Sequence, residues 1–195
     1  MVRMMTAIVQ RLNAALAAGF LTLTLGLGGA VGSAHAQGAD VAELLERLQS
    51  LELQNWEAVE RRIYEAWSQS GSASADLLLS RGKQALEDED VVAAIEHLTA
   101  LTDHAPDFAE GWHARATAFY LADRYGPSLS DLRMALALNP QHFGALAGAG
   151  RILMELGETE AALTAYRAAA AIHPQRPDIS EAIDRLEQEQ GGQRL

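Results

Sequence analysis

The sequence predicts an all-α fold: a solenoid of helical hairpins with an N-terminal helical cap and a solvating helix at its C-terminal end. Three observations predict it. First, the stretch 109–142 matches both of its flanks in register after a shift of 34 residues, which lays Pro140 over Pro106 and Pro174, Ala116 over Gly82 and Gly150, and Leu132 over Leu98 and Tyr166. Second, each unit holds two helix-period apolar stripes. Third, each unit ends at a proline, which lacks a backbone N–H and biases the residue before it away from helix.

The repeated residues have a packing logic. Helices that cross closely need small side chains where their backbones meet and larger ones around that point. The small positions are Gly82, Ala116 and Gly150 on the first helix of each unit and Ala94, Ser128 and Ala162 on the second. Bulk comes from Leu78, Trp112 and Leu146 on first helices and from Leu98, Leu132 and Tyr166 on second helices. Trp112 therefore reads as core. Ala116 is expected at a helix crossing and Ala114 away from it. Asp107 with Glu110 reads as a capping box opening a helix.

A 34-residue unit of two amphipathic helices closed by proline resembles the tetratricopeptide repeat, over residues 75–176. The resemblance divides the chain into units at 75–108, 109–142 and 143–176. It implies a concave groove lined by first helices that holds an extended peptide or a partner's helix. Carried onto this chain, the groove positions are Lys83 and Glu87 in the first unit, His113, Thr117 and Tyr120 in the second, and Arg151, Met154 and Glu155 in the third. Tyr120 and Met154 supply apolar area beside cations, the mixture of a recognition surface. The family's clamp for a C-terminal carboxylate needs Lys and Asn pairs, and this chain has Leu79, Lys83, Ala114, Gly144 and Gly148 at the matching positions.

Residues 1–36 read as a secretory signal peptide: Arg3 and Arg11 form a basic start, an apolar run follows, and Ala34, His35 and Ala36 make a small-x-small cleavage site before Gln37. The expected location is periplasmic, the alternative an uncleaved N-terminal membrane anchor. Within residues 1–36 the two arginines stand apart and form no twin-arginine pair, so export would be of the unfolded chain. With no cysteine, disulfides, thiolate metal sites, a cysteine nucleophile and a lipid-bearing cysteine are excluded.

Residues 37–74 carry two helix-period stripes: Val41, Leu44, Leu45, Leu48 and Leu51, then Trp56, Val59, Ile63 and Trp67. The hairpin fits the repeat register with departures, Glu60 at a small-residue position and no closing proline, and reads as a degenerate unit capping the stack. The polar serines and Gly71 of 68–74 form a linker. In the first unit, helices are expected over 76–86 and 91–102, joined by the acidic turn 87–90, which lacks the spaced ligands of a calcium loop. Pro127 belongs to a first helical turn and Gly157 to a turn. Within 177–195, a last helix over 178–189 turns Ile179, Ile183 and Leu186 inward, and the tail from Gly191 frays.

Charge narrows the partners. The whole chain carries a net charge of −11; without the two arginines of the targeting segment, 13 basic residues face 26 acidic ones, a net charge of −13. No basic footprint exists for nucleic acid. No phosphate loop, nucleophile elbow or zinc-protease helix is present. The run 144–150, GALAGAG, lies within a helical stretch and reads as close packing. His97 and His104 have the one metal-like spacing, without a third ligand. His104, His142 and His173 are expected at the ends of second helices, complementing the helix dipole. The function expected is thus a non-enzymatic, cofactor-free protein–protein interaction module of adaptor, scaffold or assembly type. The alternative is a structural homo-oligomer.

Overall fold

The computed structural model describes the backbone of residues 32–192 and the side chains of residues 40–191. The expectations for the targeting segment ahead of Gly32 and for the tail beyond Gly192 lie outside the described residues. Among the described residues the chain is helical throughout: α1 (Gly32–Leu48), α2 (Trp56–Trp67), α3 (Ala73–Glu87), α4 (Val91–His104), α5 (Ala109–Leu121), α6 (Tyr125–Leu138), α7 (Phe143–Glu155), α8 (Thr159–Ile172) and α9 (Pro177–Gly192). None of these helices is long and apolar enough to cross a membrane.

Helices α3 to α8 form three stacked hairpins, α3 with α4, α5 with α6 and α7 with α8, and α9 packs on α8. The repeated small residues set the crossings. A methyl group on Gly82 would come within 2.5 Å of Leu98, and one on Gly150 within 2.8 Å of Tyr166. In the middle hairpin Ala116 is fully buried, and the Ser128 hydroxyl on α6 donates to its carbonyl oxygen at 2.7 Å. Trp112 packs against the core with its indole N–H donated to the Pro106 carbonyl at 2.8 Å.

The turn inside each hairpin is also repeated. Glu89, Asp123 and Gly157 occupy the left-handed region at φ of 60°, 56° and 72°. After each, the next amide returns to a carbonyl five residues back: Asp90 to Ala85, Arg124 to Phe119 and Glu158 to Leu153. This is the Schellman termination, which satisfies carbonyls a helix end leaves open.

Three expectations change. Ala114 is buried, in one cluster with Leu98 and Leu101, because α5 packs on α4 as well as on α6. The capping box at Asp107 and Glu110 does not form: α5 is preceded by Phe108 without a side-chain cap, and Glu110 turns into the interior. Leu51 is 78% exposed because α1 ends at Leu48.

The N-terminal hairpin departs furthest. Its stripe, Leu44, Leu45, Leu48, Val59 and Ile63, packs with Phe143 of α7 and Ile172 of α8, far along the array. It therefore lies across the array instead of continuing the stack ahead of α3.

Candidate functional groove

First helices line the concave face. The strip on α5 is His113, Thr117 and Tyr120; the strip on α7 is Gly144, Ala147, Gly148 and Arg151, both at helical spacing. They border a cavity of about 190 Å³ that Tyr64 closes on one side and Arg176 and Asp178 on another. Four of the expected groove residues, His113, Thr117, Tyr120 and Arg151, thus come together. Met154 is half-buried against the same core, while Glu87 and Glu155 are exposed near the ends of α3 and α7. None of these three borders the cavity.

The open half of the groove is aromatic and cationic. Tyr120 stacks on Tyr125 at 5.8 Å, and the Arg151 guanidinium stands 5.9 Å from the Tyr120 ring. Beside it, Thr117 is exposed and its hydroxyl donates to the His113 carbonyl at 3.2 Å.

The closed half holds a buried charge network. Glu110 on α5 accepts from Lys83 of α3 at 2.7 Å. Its other oxygen lies 3.0 Å from His142 Nε2 and 3.3 Å from His113 Nδ1. Burial alone would raise the Glu110 pKa, but hydrogen bonds from the two imidazoles outweigh it and hold the carboxyl well below its usual range. Burial and the neighbouring His113 lower the His142 pKa to about 4. At neutral pH Glu110 is thus a carboxylate and His142 is neutral.

Glu110, His113 and His142 each present a ligand atom within 4.8 Å of one another. The hydrogen bonds argue against a cation there. His142 Nδ1 accepts the Ala145 amide at 3.1 Å, so the ring proton sits on Nε2 and is directed at Glu110. A metal-bound imidazole needs that nitrogen bare and the other ring nitrogen donating. Of the two histidines with metal-like spacing, His97 and His104, the latter meets the Ser74 hydroxyl at 2.9 Å.

The dipole reading of the histidines holds in part. His104 is the last residue of α4, and His173 is the C-cap of α8. His142 is the N-cap of α7, since α6 ends at Leu138. A neutral acceptor suits that position, where four amides lack partners.

Sequence reasoning missed Tyr64, Glu110, His142 and Arg176. Glu110 carried one local signal, a carboxylate three residues before His113 on one helix face. The others meet through tertiary contacts that no spacing announces.

No protein-family model matches the chain. A TPR repeat-containing protein of Rhizobium etli is 34% identical over 128 residues, which is 66% of this chain and 63% of that protein, so the match spans less than two thirds of the relative's length. Among solved structures, the first tetratricopeptide-repeat domain of Spaghetti, bound to an HSP90 peptide, superposes with a TM-score of 0.60 at 22% identity, covering 62% of this chain and 95% of that one. The Sgt2 tetratricopeptide-repeat domain from Aspergillus fumigatus gives 0.60 at 17% identity over 64% and 84%. The 34-residue register, the stacked hairpins and these likenesses agree: the chain has the fold of stacked tetratricopeptide-repeat hairpins.

Proposed function

We propose that this chain is a non-catalytic interaction module, an adaptor or assembly factor, that holds a peptide or helix of a partner protein against the concave face of its repeats. The observation that carries the reading is the open half-groove, where Tyr120, Tyr125 and Arg151 stand together beside the cavity. Tyrosine and arginine are the residue types that dominate binding energy at protein interfaces. The peptide held by the Spaghetti domain supports the reading by likeness of fold. We place the module in the periplasm on the strength of Arg3, Arg11, the apolar run and the site at Ala34 and Ala36, with a mature start at Gln37.

The test is in-cell photo-cross-linking from a probe at position 117 or 151, followed by mass spectrometry. A shared partner is expected from both probes. Arg151→Glu with Thr117→Lys, both exposed positions, should abolish affinity capture of that partner by the tagged, probe-free chain with the melting temperature nearly unchanged, as exposed substitutions move stability by about 0.5 kcal/mol or less. Glu96→Lys on α4 serves as the control. Capture that survives the double variant and fails in the control would move binding to another face. Edman sequencing of the product from a Gram-negative host checks the start at Gln37.

A further inference from the structure

One face of α2 lies where a groove ligand would lie. Trp56 meets His173 edge-on at 5.1 Å. One turn on, Glu60 accepts from Arg176 at 3.1 Å. Two turns on, Tyr64 reaches Gly144 and stands 5.3 Å from Phe143 and 6.4 Å from His113. Three turns on, Trp67 stacks on His142 at 4.6 Å, and Ser68 just beyond accepts from Lys83 at 3.0 Å. Residues 56, 60, 64 and 67 share a helix face. That face crosses α7, α5 and α3 in turn, starting from the loop ahead of α9.

The docking is also incomplete. His173 is fully buried beneath Trp56, yet neither ring nitrogen has a hydrogen-bond partner, and Glu60 stops 3.6 Å away. A buried polar group left unmade opposes the closed arrangement. Beyond Ser68 only a short polar linker, with Gly71 at φ 80°, joins α2 to α3.

We propose that the groove's partner is an amphipathic helix whose face repeats the α2 stripe, aromatic, acidic, aromatic and aromatic at positions i, i+4, i+8 and i+11, and that the α1–α2 hairpin keeps the site closed until such a helix displaces it. This rests on the groove-binding function proposed above and gives it a ligand class and a gate. The acidic position suits Arg176, and the aromatic at i+8 suits the space that Gly144 leaves open. A tethered segment competes at an effective concentration of about millimolar, so a free helix gains access only by matching the stripe or when the tethered one is weakened.

The probe is a fluorescein-labelled peptide of residues 55–68, titrated onto the full chain and followed by anisotropy. Glu60→Arg in the chain sets two cations face to face and weakens the tethered helix. The peptide is expected to bind that variant at least about ten-fold more tightly than the unaltered chain, as loss of an intramolecular competitor requires. Arg176→Glu should invert the preference, so that a peptide with arginine at the Glu60 position binds better than the native one. Far-UV circular dichroism confirms that both variants keep their helices. Equal affinity for unaltered and Glu60→Arg chains, absence of the inversion, or no binding to either folded variant would each overturn the gate. The two readings separate in cells. Partner capture from position 151 that is the same with and without Glu60→Arg overturns the gate alone; no capture in either, with the peptide inversion intact, overturns the adaptor function alone.

Discussion

The Tyr64 hydroxyl occupies the place that a side chain's first carbon would take on Gly144, so a residue of the N-terminal hairpin and a glycine of α7 fit each other across the groove. Gly144 is the second residue of α7. Its absence of a side chain is what admits Tyr64, whose phenol is buried and pushed upward in pKa by that burial.

Gly144→Ala should therefore release Tyr64 without unfolding the repeats. Gly148→Ala, one turn on, meets Leu132 only at an ordinary 3.5 Å and should stabilise by about 0.5 to 1 kcal/mol from helix propensity. Hydrogen exchange separates the effects: faster exchange confined to α1 and α2 is expected for Gly144→Ala, and none for Gly148→Ala. Unchanged protection of α2 in Gly144→Ala would show that Tyr64 does not depend on the glycine.

At the hairpin crossings the same substitution has the opposite sign. A methyl on Gly82 would strike Leu98 at 2.5 Å, and one on Gly150 the ring of Tyr166 at 2.8 Å, all within the core. Overpacking of this kind costs about 1 to 3 kcal/mol. Gly82→Ala and Gly150→Ala should each lower the urea midpoint, and a midpoint at or above the unaltered protein's would show that the crossings have slack.

These glycines mark what was legible beforehand. Gly82 and Gly150 recur at the repeat's own period, so their packing role could be read from register alone, as could the cores under Leu98, Leu132 and Tyr166. Gly144 has no such counterpart, because Glu110 occupies its position one unit earlier and Asp76 the unit before that. Its partner, Tyr64, lies 80 residues away in a helix that abandons the repeat's stacking. A repeat register predicts contacts between neighbouring units, and the α2 face breaks that rule by touching several at once. The Glu110 network was hidden for a similar reason. A carboxylate near a helix start is a reasonable capping residue until a lysine from one unit and a histidine from the next converge on it.

The left-handed turn position offers a stabilising change. Gly157 is suited to its φ of 72°, whereas Glu89 carries a side chain at 60°. A non-glycine residue in this region costs about 1 kcal/mol or more. Glu89→Gly should raise stability by about 0.5 to 1 kcal/mol after the entropy of the freer unfolded chain is subtracted. Gly157→Ala should lower it by a similar amount. Chemical denaturation of the pair checks both signs, and a loss of stability in Glu89→Gly would mean that its side chain contributes more than its backbone strain costs.

His142 makes stability depend on pH over a defined window. Its folded pKa of about 4 lies below the unfolded value of about 6.5, so between these limits the unfolded chain takes up a proton that the folded chain refuses. Stability is therefore full above about pH 6.5 and declines as pH falls to about 4, by about 3 kcal/mol in all. Glu110 acts lower down: its folded pKa is depressed, so its contribution is present above the ordinary carboxylate range and disappears as pH falls through that folded value. The groups facing His142 are Glu110, His113, Tyr64 and Trp67, with Lys83 behind Glu110, and of these His113 opposes the added charge while Glu110 attracts it. His142→Asn keeps an acceptor for the Ala145 amide and removes the titrating ring. Urea unfolding at pH 7, 5.5 and 4 should show a steep loss for the unaltered protein and a shallower one for His142→Asn across the same window. Parallel profiles for the two proteins would place the pH dependence elsewhere in the fold.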